Sequence, residues 1–170
     1  MPRPTENDYA PYYKDYINYI EGDNIIKILR DQLSRTVKLV KSIPEEKGNY
    51  AYAKGKWSIK EVLGHITDSE RIFAYRALCI ARGEEKSLPG FEQDDYVREG
   101  NFNNRTLASL IDEFMQLRKS NIDLFTSFSE DALNRRGLAN NYEVTVRAFL
   151  FIIAGHEFHH INILKEKYLG

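Results

Sequence analysis

Residues 56–81 read KWSIKEVLGHITDSERIFAYRALCIA and contain the most clearly marked helix start in this chain of 170 residues. Ser58 and Glu61 have the spacing of a capping box, in which the serine oxygen accepts one free backbone N–H and the glutamate accepts another. Apolar residues then recur at helical spacing until Gly83. The stretch therefore predicts a helix over residues 58–81.

Three further segments carry the same helical periodicity, over residues 23–41, 106–128 and 145–168. Asp23 is the expected N-cap of the first of them. The last one is apolar almost all round between Ala148 and Ala154, which is typical of a helix at the centre of a bundle. No segment shows a convincing strand alternation. We therefore predict an all-α fold, a four-helix bundle.

The connection between the second and third helices is unusually long. It covers residues 82–104, about 23 residues, whereas most connections in compact domains are far shorter. A crossover of this length would allow the second and third helices to run parallel. The sequence does not decide which end of the bundle the 82–104 segment covers.

The composition limits the classes of function. Lys and Arg total 24 and Asp and Glu total 25, without a long basic run, so nucleic-acid binding has no electrostatic support. The single cysteine, Cys79, excludes an intramolecular disulfide and is expected to pack as a small apolar residue. No apolar run approaches ~18 residues, and residues 1–6 lack the apolar stretch that is typical of a signal peptide. We expect one domain over residues 1–170, cytoplasmic and without a membrane partner, with residues 1–22 as an arm packed on the bundle.

Three histidines are the most informative residues for function. His156 and His160 are four residues apart, so they share one face of a helix. His65 lies about 7 residues from the start of the second helix, and His160 lies about 8 from the end of the fourth. At ~1.5 Å rise per residue these depths match if the two helices are antiparallel. Three imidazoles with an open position are typical of a reactive metal site, because structural zinc sites close their shell with a fourth protein ligand.

Other interpretations of these histidines remain open. Each could be a core histidine that is satisfied by one hydrogen bond. Residues 156–160 also match the H-E-x-x-H pattern of metalloproteases, but the extended form requires Gly at 163 and His at 166, where the chain has Ile163 and Glu166. His159 is ~100° round the helix from His160 and is better placed for packing than for binding a metal.

Several stretches together closely resemble the DinB/YfiT-like superfamily. They are KWSIKEVLGHITDSER (56–71), LPGF (88–91), TVRA (145–148), AGHEFHH (154–160) and the tyrosine-rich lead-in (9–20). The resemblance implies an up-down-down-up four-helix bundle. It also implies a divalent metal, zinc or nickel, held by His65, His156 and His160 with water completing the shell, and it implies that homodimers are possible.

The resemblance further implies two activities, transfer of low-molecular-weight thiols and metal-dependent hydrolysis of a small-molecule substrate. Our leading hypothesis is an S-transferase that activates a thiol for attack on a small electrophile. The runner-up is hydrolysis by metal-bound hydroxide, for which Asp68 and Glu157 are candidate bases by spacing alone. Both carboxylates could instead be structural or solvent-facing. A third possibility is a non-catalytic metal or small-molecule binding module, for example in a stress response. Three imidazoles suit zinc, nickel, copper and iron alike, and no substrate-binding residue is identified.

Overall fold

The structure is a computed structural model that describes residues 2–170. Its helices are α1 (Lys14–Asn18), α2 (Ile25–Lys41), α3 (Ile59–Ala81), α4 (Gln93–Gly100), α5 (Leu107–Thr126), α6 (Glu130–Asn134) and α7 (Val146–Ile163). Strands β1 (Arg136–Ala139) and β2 (Tyr142–Thr145) pair antiparallel. A π-helical turn, Leu164–Tyr168, continues α7. None of the helices within residues 2–170 combines the length and hydrophobicity that crossing a bilayer requires.

The helix caps explain why the four long helices begin where they do. Ser58 accepts from the backbone of Glu61, whose carboxylate accepts the Ser58 N–H, so the predicted capping box is confirmed. Thr106 and Thr145 are the N-caps of α5 and α7, and the side chain of each accepts a hydrogen bond from the backbone N–H three residues later. The predicted N-cap of α2 is wrong by one residue. The side chain of Asn24, rather than that of Asp23, accepts a hydrogen bond from the backbone N–H of Lys27.

α2, α3, α5 and α7 form the bundle. α3 packs on both α5 and α7, and α2 packs on the same two helices. α2 and α3 therefore lie diagonally across the bundle, although they are consecutive among the four. This arrangement is that of the predicted all-α four-helix bundle.

Contacts along the helices fix their directions. At one end Tyr168 donates a hydrogen bond of 2.7 Å to the carbonyl of Trp57, just before α3, and further along Phe149 packs on Phe73. α3 and α7 are therefore antiparallel, as the depths of the histidines require.

The other two directions follow from hydrogen bonds. Ser58 donates to Asn103 just before α5 (2.6 Å), and Asn121 late in α5 donates to Glu70 (3.1 Å), so α3 and α5 are parallel. Gln32 donates to the carbonyl of Ala154 (3.0 Å) one turn before Thr36 meets Glu157, so α2 and α7 are also parallel. The up-down-down-up topology is confirmed.

The crossover and the chain before α7 contain structure that the sequence did not predict. The expectation of no strands is wrong for residues 136–145, where β1 and β2 form a hairpin with positive φ at Asn140 (51°) and Asn141 (63°). Two such residues suit the tight turn of a two-residue hairpin. Leu88 of the crossover pairs with this hairpin through the backbone of Leu138 and Asn140, at 2.9 Å each. The crossover is thereby fixed beside the start of α7.

The residues before α2 pack on the bundle through α7. Ile17 and Ile20 are buried in the same cluster as the apolar centre of α7. Gly155 lies directly under the backbone of α1, because a Cβ added there would be 2.0 Å from the carbonyl oxygen of Tyr16. The missing side chain at residue 155 thus allows α1 to approach α7 closely.

We expect Gly155→Ala to destabilise the protein, because the new methyl group displaces α1 from α7. Overpacking of this kind destabilises a protein by ~1–3 kcal/mol. The higher helix propensity of Ala stabilises the helix by ~1 kcal/mol, and we expect the overpacking to be the larger effect. Urea unfolding followed by circular dichroism measures the change. Gly155→Ser should lower the free energy of unfolding more than Gly155→Ala does. A stabilised Gly155→Ala protein, the result expected from helix propensity alone, would contradict the close packing.

Candidate metal centre

Three histidine side chains meet inside the bundle, between α3 and α7. His65 comes from α3, and His156 and His160 come from successive turns of α7. One ring nitrogen of each lies within 4.8 Å of the others, and all three residues are buried or nearly so. The Nε2 atoms of His65 and His156 are 2.9 Å apart. The structure therefore brings together the three residues that the sequence singled out.

Aromatic side chains pack round this cluster. The Trp57 ring lies over His65, with 4.7 Å between ring centroids, and it stacks on His160 at 6.2 Å. Tyr16 meets His156 edge-on at 5.4 Å, and Phe73 meets the same ring at 5.8 Å. These rings limit the rotation of the imidazoles and keep bulk water from most of their surface.

The environment keeps the imidazoles neutral near pH 7. Burial lowers the pKa of His65 to about 4 and the pKa of His160 to about 3. Burial also holds the pKa of His156 well below its ordinary value, and repulsion from the neighbouring imidazoles adds to this effect. A neutral imidazole is the form that binds metals. Three such nitrogens without a carboxylate among them fit a divalent transition metal such as zinc or nickel.

His159 lies outside the three-histidine cluster. Its ring stacks on Tyr19, with 5.9 Å between centroids and 21° between planes, and it also contacts Tyr16. Its i+3 position relative to His156 turns it towards the residues before α2, which explains the different neighbours.

A cavity of about 310 Å³ adjoins the cluster. Its walls come from four parts of the chain: three tyrosines of the N-terminal arm, one face of α3, the crossover, and the hairpin turn with α7. The lining residues are Tyr12, Tyr13, Tyr16, His65, Ser69, Phe73, Arg76, Gly90, Phe91, Glu92, Gln93, Asn140 and His156. Residues 90–93 belong to the crossover, so the 82–104 segment covers the side of the bundle where the histidines meet.

The two carboxylates considered as general bases do not line this cavity. Asp68 lies beside Arg71, with 3.3 Å between the charged groups, and burial raises the pKa of its carboxyl. Glu157 is buried in a different part of the bundle. Among residues 2–170, the only carboxylate in the cavity lining is Glu92, an exposed residue at the start of α4.

Glu157 belongs to a buried network of charges that the sequence did not reveal. Arg118 binds both oxygens of Glu70, at 2.8 and 2.7 Å, and its third nitrogen lies 2.8 Å from Glu157. Thr36 donates to the other oxygen of Glu157 at 2.6 Å. Burial raises the pKa of Glu157, while Arg118 opposes this shift. The network joins all four helices of the bundle. Because both oxygens of Glu157 are engaged by residues of other helices, Glu157 has a structural role.

An up-down-down-up bundle with three histidines converging from its antiparallel second and fourth helices defines a narrow class of helical proteins. The sequence model of the DinB superfamily matches residues 28–164. The chain therefore belongs to the DinB superfamily.

Individual relatives agree with this assignment. A protein of Oceanobacillus iheyensis, named as a candidate metal-dependent hydrolase, is 23% identical over 141 residues, which are 82% of this chain and 81% of the relative. Among solved structures, YfiT from Bacillus subtilis superimposes with a TM-score of 0.71 at 15% identity, covering 97% of this chain and 90% of YfiT. YfiT is itself described as a candidate metal-dependent hydrolase with an unusual four-helix-bundle topology.

A third relative is a thiol-dependent enzyme. The mycothiol-dependent maleylpyruvate isomerase superimposes with a TM-score of 0.66 at 12% identity. The match covers 85% of this chain and 61% of the isomerase. At this level of identity the similarity shows a shared fold.

Proposed function

We propose that this protein binds a divalent metal at His65, His156 and His160 and is an S-transferase that joins a low-molecular-weight thiol to a small electrophile. One observation carries the proposal: two of the three converging imidazoles line a cavity in which, among residues 2–170, Glu92 supplies the only carboxylate. A divalent cation held there would supply positive charge that lowers the pKa of a nearby thiol, and the thiolate is the nucleophile.

The residues of the chain have separate roles in this proposal. The three imidazoles remain neutral, so they leave the charge of the cation uncompensated. Trp57, Tyr16 and Phe73 limit the access of water to the reacting atoms. The volume of about 310 Å³ is at the lower end of the range of roughly 300–1,000 Å³ for ligand cavities, which favours small substrates.

Metal-dependent hydrolysis is the second candidate. The names of the relative from O. iheyensis and of YfiT favour it. A hydrolase gains from a general base within hydrogen-bond reach of the attacking water. Asp68 and Glu157 do not line the cavity and Glu92 is exposed, so the side chains give this candidate less support than they give thiol transfer. A non-catalytic binding module is the third candidate, and it requires only the metal and the cavity.

We expect protein loaded with zinc or nickel to turn over a test electrophile only when a thiol is present. The assay combines glutathione, bacillithiol or mycothiol with chlorodinitrobenzene or an epoxide, and it is repeated with a chelator and with His160→Ala. Both changes should remove the activity, because both remove the charge that activates the thiol. His159→Ala is the matched control and should remain active.

Other outcomes distinguish the candidates. Thiol-dependent turnover that survives the chelator would contradict the proposed mechanism. Turnover of nitrophenyl acetate that requires metal but no thiol would favour the hydrolase. Metal uptake without turnover of any of these compounds would favour the binding module.

A further inference from the structure

Arg76 is buried, and no acidic side chain among residues 2–170 pairs with it. It lies on α3, only 3% of its surface is exposed, and it lines the same cavity as His65 and His156. Within residues 2–170, no carboxylate oxygen lies within 4.0 Å of its guanidinium. The buried arginines Arg118 and Arg147 differ from it, since each is paired with at least one glutamate. A buried charge without a counter-charge is costly, so its retention calls for a partner.

The surroundings of Arg76 hold its guanidinium in place without neutralising it. One terminal nitrogen donates to the carbonyl oxygen of Pro89 at 2.5 Å, and the rings of Phe73 and Phe91 lie 5.9 Å from the guanidinium carbon. A guanidinium has five N–H donors, so most remain for a ligand in the cavity. The two nearby rings favour a positive charge but do not cancel it.

The hydroxyl group of Tyr13 lies beside this charge. Burial raises the pKa of Tyr13 above its ordinary value, and Arg76 opposes that shift from close by. The Tyr13 hydroxyl therefore stays protonated and can donate a hydrogen bond into the cavity. Tyr12 and Tyr16 line the same wall. Among residues 2–170, Glu92 is the one acidic residue in the cavity lining, and because it is exposed, solvent and salt screen its charge.

Arg76 and His65 lie at opposite ends of one stripe on α3. His65, Ser69, Phe73 and Arg76 all line the cavity, at positions i, i+4, i+8 and i+11 of the helix. Eleven residues correspond to three turns, so the stripe faces one direction, and the backbones of the two end residues are ~16 Å apart along the helix axis. Helix side chains tilt towards the N-terminus, so the Arg76 guanidinium reaches back towards His65. The Phe73 ring is 5.9 Å from the guanidinium carbon and 5.8 Å from the His156 ring, so a ligand that reaches both ends must extend past this ring and is elongated.

We propose that the cavity binds an elongated small molecule whose carboxylate pairs with Arg76 while its other end lies at the three-histidine cluster. The planar, two-oxygen carboxylate matches the fork of a guanidinium, which binds such groups through two parallel hydrogen bonds. The inference deepens the proposed function, because it specifies the substrate class of the same cavity, and it rests on the metal site for the position of the other end.

The test uses two series of thiols of matched length. Wild type, Arg76→Gln and Arg71→Gln are loaded with cobalt and titrated with ω-mercaptocarboxylic acids, from mercaptoacetate to mercaptohexanoate, and with the corresponding ω-mercaptoalcohols. The thiolate-to-cobalt absorption band reports binding. Arg71 is the matched control, because it lies on α3 outside the cavity and pairs with Asp68 and Glu113.

At least one acid should bind to wild type about tenfold more tightly than its matched alcohol, which corresponds to about 1.4 kcal/mol. Arg76→Gln should remove this preference and leave the affinity for the alcohols unchanged, whereas Arg71→Gln should retain it. Arg76→Lys should retain part of it, and it replaces Arg76→Gln if that variant does not fold. Equal binding of acids and alcohols by wild type, or a preference that survives Arg76→Gln, would overturn the inference.

The experiment separates this inference from the metal site. Failure of wild type to bind cobalt would contradict the proposed function but not the carboxylate site. That site is then tested on the same proteins by calorimetry, with hexanoate against hexanamide. A preference for hexanoate that Arg76→Gln removes would support it, and the absence of a preference would reject it.

Discussion

The His65→Ala variant should fold and contain far less metal than wild type, as the proposed metal site requires. His65 is the only member of the three-histidine cluster on α3, so its removal leaves two nitrogens from one helix and no nitrogen from the opposite wall. Loss of a hydrogen-bond partner of a metal ligand already costs roughly 10–100-fold in affinity, and loss of the ligand itself should cost more than about 100-fold. Plasma mass spectrometry of untagged protein, purified in parallel with wild type, measures the metal content.

Two further variants make this result interpretable. His160→Ala should show the same loss, because it removes a ligand from α7 instead of α3. His159→Ala is the matched control on α7, since its ring stacks on Tyr19 rather than joining the cluster, and it should keep wild-type metal content. Near-stoichiometric metal in His65→Ala, or loss of metal in His159→Ala, would show that the metal is held elsewhere.

The four helices were predictable because their signals are local. A capping box, N-cap threonines and apolar periodicity depend on residues within one or two turns of each other. The meeting of His65 with His156 and His160 was also predictable, because helical rise converts sequence position into depth. The antiparallel arrangement of α3 and α7 was then the only condition to be met, and the structure meets it.

The walls of the cavity could not be predicted in this way. Arg76 follows His65 by eleven residues, so helical periodicity could have placed both on one face. That no acidic side chain among residues 2–170 pairs with Arg76 depends on where residues 89–91 of the crossover pack, which no local pattern specifies. The hairpin over residues 136–145 was missed because its strands are only four residues long, too short for a periodic pattern to stand out, although the Asn140–Asn141 pair is a recognisable turn signal.

The buried network was missed for a different reason. Glu157 lies next to His156 in sequence, which made it a candidate base, yet adjacent residues point ~100° apart on a helix. His156 faces the cavity, whereas Glu157 faces Arg118 on α5 and Thr36 on α2. The sequence around a charged residue on one helix does not indicate which residue of another helix will pair with it. Such pairs become visible only when the helices are assembled.

Arg118→Met should produce the largest loss of stability among single substitutions at this network. The variant leaves Glu70 and Glu157 buried without a counter-charge, and breaking a buried ion pair by removing one partner costs ~3–5 kcal/mol. The free energy of unfolding of native domains is only ~5–15 kcal/mol, so the expected loss is a large part of the total stability. Urea unfolding of chelator-treated protein measures the change without a contribution from bound metal.

The matched control for Arg118→Met is Arg105→Met, which removes a partly exposed arginine near the start of α5 that pairs with Glu113. Arg105→Met should lower the free energy of unfolding by ~0–1 kcal/mol, as is usual for surface ion pairs. Replacing Glu70 and Glu157 by Leu together with Arg118→Met should recover much of the stability, because apolar side chains of similar volume often pack as well as a buried ion pair. Equal losses in Arg118→Met and Arg105→Met would show that the buried charges are solvated, and would remove the reason to assign Glu157 a structural role.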